Sequence, residues 1–238
     1  MKLALLDLNG TLLELDEQAF TEAGLTELEN FWKDKADTQN IREDALYAFH
    51  ETVENTDVTV TNQQAFLRAF ARRRGLDESV CAAWWEEYYT TRYQNLGQML
   101  EPCSDSLALV EAIRARGYDM ALVSNAMDPR EAVEARLRWA GLDPNDFAFI
   151  ASSENMHYCK PRLRFYREVM EKCGVYPEDC IMVGNDAVHD MVPRRLGVPT
   201  YFVTDNAKYR NVEMPDCDWS GSRAELADML RKGNTCRC

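Results

Sequence analysis

The chain opens on an apolar run, Leu3-Ala4-Leu5-Leu6, that stops at Asp7 and turns through Asn9-Gly10-Thr11. An uninterrupted run of this kind predicts a strand buried on both faces. From about residue 100, similar runs alternate with helical periodicity. Ser106 to Arg116 reads as a helix closed by Gly117, and Asp119 to Val123 as a strand ending in Ser124-Asn125. Pro129 to Ala140 reads as a helix with proline at its start and Gly141 after its end, the usual asymmetry of helix termini. Then follow a strand over Phe147 to Ala151, a helix over Leu163 to Cys173 ending at Gly174, and a strand over Cys180 to Val183. A short helix over Val188 to Leu196, a strand over Thr200 to Val203 and a helix over Arg223 to Leu230 complete the series. This alternation predicts the α/β class: a three-layer, Rossmann-like core with a parallel sheet and right-handed crossovers.

Residues 14–97 break the rhythm. They are rich in Glu, Ala, Leu, Gln and aromatics, without a convincing strand. The spacing predicts helices over Asp16–Lys35, Asn40–Glu54, Asn62–Arg74 and Asp77–Tyr93, with Thr61 or Asn62 capping the third and Gly75 ending it. The expected organisation is therefore a core formed by residues 1–13 and 98–238, with an all-helical bundle at 14–97 inserted after the first strand. Hinges are expected near 13–15 and 96–102.

Composition adds limits. A chain of 238 residues with a formal net charge of −13 repels nucleic acid and anionic membrane surfaces, so neither is an expected partner. A local lysine and a divalent cation can still invert the field inside one pocket. Asp7 interrupts the N-terminal apolar run too early for a signal sequence, and no stretch approaches a membrane span. The eight cysteines are scattered, which without a secretory signal reads as reduced thiols and a cytoplasmic location. Cys236-Arg237-Cys238 reads as a frayed tail rather than a metal site. Monomer and homodimer both stay open.

Four candidate pieces of chemistry follow predicted strands in order. Asp7 ends the first strand, where open α/β sheets bind ligands, and Gly10 allows a sharp turn that brings the Thr11 hydroxyl back into the loop. Ser124 and Asn125 follow the strand ending at Val123, where a hydroxyl and loop N–H groups can hold an anionic oxygen. Lys160, before Pro161, carries an ammonium that can neutralise a nucleophile and a phosphate. Gly184-Asn185-Asp186-Ala187-Val188-His189-Asp190 places two carboxylates four residues apart. Each piece alone is ordinary, since Asp and Ser-Asn cap helices, Lys-Pro starts them and Gly-Asn-Asp makes turns. Their order, with a helical insert between the first two, is not.

On these residues the chain resembles the haloacid dehalogenase-like (HAD) superfamily, most of whose members are phosphatases, and the resemblance covers nearly the full length. It implies that the insert is a C1 cap closing over the site and that Asp7 is a nucleophile forming an aspartyl phosphate. Catalysis would involve Asp7, Asn9 and Lys160; Thr11, Ser124, Asn125 and Lys160 would bind substrate. Magnesium would be held by Asp7, the Asn9 carbonyl and Asp186, with Asp190 orienting a metal-bound water or Lys160. The family usually places Asp directly after the glycine of the fourth motif. Asn185 stands there in this chain, so Asn185 and Asp186 both remain candidate ligands, Asp186 favoured by its charge.

The chain also departs from the phosphatase pattern at Asn9, where the family's general acid/base is Asp. An amide cannot exchange a proton near neutral pH. General acid–base catalysis contributes about 10²–10⁴-fold, or roughly 3–5 kcal/mol of transition-state stabilisation. Three readings follow. The chain is a slow or specialised magnesium-dependent phosphatase of a small phosphorylated metabolite, with His157, Tyr158 or His189 as substitute acid/base; or a catalytically silent phosphometabolite-binding or interaction protein; or a haloacid dehalogenase, against which the acidic pair Asp186/Asp190 argues. Arg72-Arg73-Arg74 and Arg162/Arg164 are further candidates for anion contacts, and Trp84-Trp85 with Tyr88-Tyr89 for the substrate entrance, with ordinary surface and bundle-core roles as the alternatives.

Overall fold

The computed structural model describes residues 2–35 and 39–233. The tail with Cys236 and Cys238 lies outside the described residues. A parallel six-stranded sheet has the order β3-β2-β1-β4-β5-β6. Its strands are β1 (Leu3–Leu6), β2 (Asp119–Leu122), β3 (Phe149–Ile150), β4 (Cys180–Gly184), β5 (Thr200–Val203) and β6 (Trp219–Gly221). The chain builds outward from β1 in one direction, then returns beside it at β4 and builds the other way. That reversal opens a crevice at the carboxyl ends of β1 and β4, where such sheets bind ligands.

Alternation in β1 shows why the sheet needs two helical layers. Ala4 and Leu6 join one core with Leu109, Val110 and Ile113 of α5 (Ser104–Ala115) and Leu226 of α8 (Arg223–Arg231). Leu3 and Leu5 face the other way, onto Phe165, Val169 and Met170 of α7 (Leu163–Cys173). All four β1 side chains are fully buried, as a run without polar positions requires.

Between β1 and α5 lie α1 (Glu17–Trp32), α2 (Ile41–Glu54), α3 (Asn62–Arg74) and α4 (Glu78–Thr90), then a 3-10 stretch over Arg92–Met99. Among the described residues of 14–97 there is no strand. Thr61, not Asn62, caps α3, in a capping box with Gln64, and Gly75 closes it at φ 65°. Asp16 caps α1 through the N–H groups of Gln18 and Ala19. The helices surround an aromatic core of Phe31, Trp32, Phe66, Phe70, Trp85 and Tyr88, which also takes in Ala132 and Ala135 of α6 (Arg130–Trp139).

Four details differ from the expectation. The expected helix through Tyr93 ends at Thr90, where Thr91 leaves helical geometry at φ −121° and ψ −83°, and a 3-10 stretch follows. The segment Val188–Leu196 is helical only from Val192, as a 3-10 turn. The acidic residues before it bond to backbone N–H groups instead of leaving the chain free to coil. Strand β3 keeps only two residues. Strand β6 has no periodic signal in its three residues; Asp218 pins its start by accepting from the N–H and hydroxyl of Thr200.

One insert residue is fastened deep into the core. Asn62 is fully buried; its Nδ2 donates to the Ala126 carbonyl at 2.8 Å and the Tyr158 carbonyl at 3.2 Å, and its N–H to Met156 at 2.8 Å. Replacing it with Ala orphans two buried carbonyls. Asn62→Ala is expected to cost about 1–3 kcal/mol, read as a lower midpoint in denaturant unfolding at unchanged slope.

Candidate active site

The loop after β1 is drawn tight by one acceptor. The Leu8 carbonyl receives the N–H groups of Thr11, Leu12 and Leu13 at 3.2, 2.8 and 2.9 Å. Gly10 sits inside that turn at φ 84°, and an added Cβ would lie 2.2 Å from Asn185 Nδ2. The position needs glycine for both its backbone angle and its contact. Asp7, directly after β1, is anchored by its N–H to the Val183 carbonyl of β4 at 3.0 Å. The Thr11 hydroxyl faces back, 3.2 Å from Asp7 Oδ2 and 3.2 Å from Asn185 Oδ1.

Lys160 joins three loops. Its Nζ is 2.8 Å from Asp7 Oδ1 and 2.6 Å from Asp190 Oδ1, and its N–H donates to Asn125 Oδ1 at 3.1 Å. Lys160 is 2% exposed and Asp190 1%. Burial works against the ammonium, but the two carboxylates hold its pKa above the usual lysine range. Burial, then the charge of Asp7, pushes Asp190 up to about 7, against the opposing pull of Lys160. The other Asp190 oxygen accepts the Asp186 N–H at 2.9 Å, and Gly184 leaves the space in which that carboxylate lies.

Asp186 has a different environment. Oδ1 accepts the N–H groups of Val188 and His189 at 3.1 and 2.9 Å, and Oδ2 pairs with Arg210. Burial raises its pKa, but the His189 N–H and Arg210 outweigh it and hold the carboxyl low. Asn185 is fully buried and engaged by Thr11 and by the Asn206 carbonyl, which it bonds at 2.6 Å through Nδ2.

These residues meet at one cavity of about 460 Å³, into which Asp7, Asn9, Ser124, Asn125, Lys160, Asp186 and Asp190 face. Thr11 lies behind Asp7, fully buried. Asn9 Oδ1 is a buried oxygen with no hydrogen-bond partner.

Of the candidate substitutes for the acid/base, His189 lines the cavity. Burial, foremost, lowers its pKa, with Asp186 opposing. His157 Nδ1 instead bonds Glu168 at 2.6 Å, and Tyr158 carries Arg164 at its ring and hydroxyl. Neither His157 nor Tyr158 lines the cavity. Arg162 pairs with Glu54 and the Asn55 carbonyl, while Arg73 and Arg74 pair with Asp44 and Arg72 reaches Tyr47 and Glu51. Trp84 packs on Trp32 at 5.1 Å, whereas Trp85, Tyr88 and Tyr89 line the cavity.

Sequence reasoning missed Lys208, Arg210, Asp128 and Arg136, all of which line the cavity. Lys208 exchanges backbone bonds with Asn185 and Ala187 and pairs with Glu17 of α1, linking a core loop to the insert. The only signal for the first two was a basic pair after a strand. Arg136 had none, because a helix position beside Arg138 reads as surface.

The haloacid dehalogenase-like hydrolase family matches residues 1–192. Haloacid dehalogenase-like hydrolase domain-containing protein 3 of Danio rerio is 34% identical over 104 residues, 43% of this chain and 41% of that protein. The match thus spans less than half of this curated relative. A HAD phosphatase from Thermococcus onnurineus shares the fold at TM-score 0.59 and 21% identity, over 98% of each chain. L-2-haloacid dehalogenase from Xanthobacter autotrophicus does so at TM-score 0.56 and 19% identity, over 97% of this chain and 98% of that one. With residues 1–192 matched and the motif residues gathered at one crevice, the chain belongs to the haloacid dehalogenase-like hydrolases.

Proposed function

We propose that this hydrolase cleaves phosphate monoesters with magnesium, through an aspartyl phosphate on Asp7, and that the insert at 14–97 acts as its cap. The observation that carries this reading is the Lys160 ammonium, held between Asp7 and Asp190 at 2.8 and 2.6 Å on the cavity floor. It neutralises the nucleophile before attack and keeps one carboxylate oxygen fixed, while Thr11 orients the other. Positioning and charge neutralisation dominate phosphoryl transfer. Asp190 is 1% exposed, with one oxygen on the buried Lys160 and the other on the Asp186 N–H, which favours a role in holding Lys160, whereas Asp186 Oδ2 meets the exposed Arg210.

The donor set suits magnesium: Asp7 and Asp186 face the cavity, and the Asn9 carbonyl belongs to the same loop. Among the described residues no cluster of three or more His, Cys, Asp or Glu side chains forms a metal site by itself. Magnesium, which is commonly held by one or two carboxylates plus substrate oxygens, fits that limit. When bound, it would neutralise charge developing on the phosphoryl oxygens. Asn9 supports a hydrogen bond to the leaving oxygen and no proton transfer.

No helix among the described residues is long and apolar enough to cross a membrane. Cys81, Cys103, Cys159, Cys173, Cys180 and Cys217 are unpaired, which supports a reducing, cytoplasmic setting. The test is hydrolysis of para-nitrophenyl phosphate with and without magnesium. Turnover is expected to require the metal and to fall to background in Asp7→Ala. Turnover unchanged in that variant contradicts the reading.

A further inference from the structure

The cavity has room for more than a phosphate. At about 460 Å³ it lies within the range of sites that enclose a whole small molecule, about 300–1,000 Å³. Away from Asp7 and Lys160 its lining turns aromatic, with Phe20, Phe49, Trp85 and Tyr93 among the residues that form it. A sugar or glycerol phosphate, hydroxylated along its length, would strand those oxygens that meet the four rings rather than the polar lining at Glu17, Thr21 and Asp128. A planar ring would not.

Besides Lys160, three cations among the described residues line the cavity: Lys208, paired with Glu17; Arg210, paired with Asp186; and Arg136. Arg136 of α6 is 4% exposed; its Nη2 donates to Asp128 Oδ2 at 2.6 Å, while its Nε is buried without a hydrogen-bond partner. Buried guanidinium donors are ordinarily satisfied. Arg136 lines the cavity, so a ligand carrying an acceptor on that side would meet its guanidinium.

Asn9 narrows the leaving group independently. An alkoxide is about as basic as hydroxide, far more basic than a phenolate, so an alkyl ester needs a proton as its bond to phosphorus breaks. A phenol ionises near 10 and departs as the phenolate with far less help. The chain therefore combines a ring-lined cavity with a catalytic loop lacking the proton donor that alkyl esters require.

We propose, resting on the reading of Asp7 as the nucleophile, that the substrate is a phenolic phosphate monoester whose ring lies among Phe20, Phe49, Trp85 and Tyr93 and carries an oxygen acceptor to Arg136. An Asp7 oxygen forms a bond to phosphorus as the bond from phosphorus to the aryl oxygen breaks, and the electron pair leaves with the phenolate. Water then bonds to phosphorus, Asp7 departs as a carboxylate, and the proton of that water passes to solvent. Inorganic phosphate and a phenol result.

The test measures kcat/KM of the unmodified protein with magnesium for phenyl phosphate, 4-carboxyphenyl phosphate, benzyl phosphate and glycerol 3-phosphate. Phenyl phosphate is expected to exceed benzyl phosphate by about 10²-fold or more, since both carry a ring and only one leaves without a proton. That gap is expected to shrink in Asn9→Asp. Benzyl phosphate is expected to exceed glycerol 3-phosphate about tenfold through burial of its ring. The 4-carboxyl group is expected to lower KM about tenfold relative to phenyl phosphate, an advantage that disappears in Arg136→Gln. Turnover of glycerol 3-phosphate equal to that of phenyl phosphate overturns the proposal and leaves the phosphatase reading standing. A carboxylate advantage that survives Arg136→Gln removes Arg136 from it. Failure to hydrolyse any of the four esters overturns both readings.

Discussion

Asn9→Asp is expected to raise magnesium-dependent hydrolysis of benzyl phosphate by about 10²–10⁴-fold, the span that general acid–base catalysis contributes. The substitution changes one amide to a carboxyl of nearly the same shape, so the packing of the turn around Gly10 is undisturbed. Asn9 Oδ1 already lies buried without a partner, so the exchange sacrifices no bond to that oxygen. What the loop gains is a group that can give a proton to the leaving oxygen and later take one from water. Steady-state kinetics on the two proteins checks it. A rise in kcat without a matching fall in KM assigns the gain to the chemical step. An unchanged rate means that the proton is handled elsewhere, and His189, a histidine at the cavity, is the residue to replace next.

Lys160→Met is expected to abolish turnover and to destabilise the protein by about 3–5 kcal/mol, the cost of stripping a buried ion pair of one partner. The side chains have similar length, so the loss is one of charge. Asp7 and Asp190 would then face each other across an apolar stem, with Asp190 buried among core residues. For a chain of this size the unfolding midpoint falls by roughly 2–4 °C per kcal/mol, which calorimetry reads directly. Adding Asp190→Asn to Lys160→Met removes one of the stranded charges. The double variant is expected to recover part of the stability and none of the activity. Equal destabilisation of single and double variants would show that the ammonium contributes packing rather than charge.

The sheet was legible because its strands are short apolar runs with chemistry-bearing residues at their carboxyl ends. Leu3–Leu6, Asp119–Leu122 and Cys180–Gly184 end beside Asp7, Ser124 and Asp186, so order alone brought these residues to one crevice. The four insert helices were legible from their composition and spacing, and α3 also from its ends at Thr61 and Gly75. Strand β6 was not, since three residues cannot display an alternation.

The site was legible only where a residue follows a strand. Arg136 reaches the cavity through the rotation of a helix against the insert, which no local pattern records. Arg210 arrives from a loop held by backbone bonds at Lys208. Asn62, eligible in the sequence as a cap, is placed by contacts with residues 64 to 96 positions away. His157 and Tyr158 were candidates because they lie in the loop before Lys160, but Glu168 and Arg164 of α7 engage them instead.

The most direct test of the account is to mix the unmodified protein with magnesium and excess para-nitrophenyl phosphate, quench in acid within one turnover, and locate phosphorylation by mass spectrometry. Asn9 cannot activate the hydrolytic water, so the acyl phosphate is expected to accumulate, and the adduct is expected on Asp7. Release of nitrophenolate with no adduct, or with an adduct on another residue, would contradict the account.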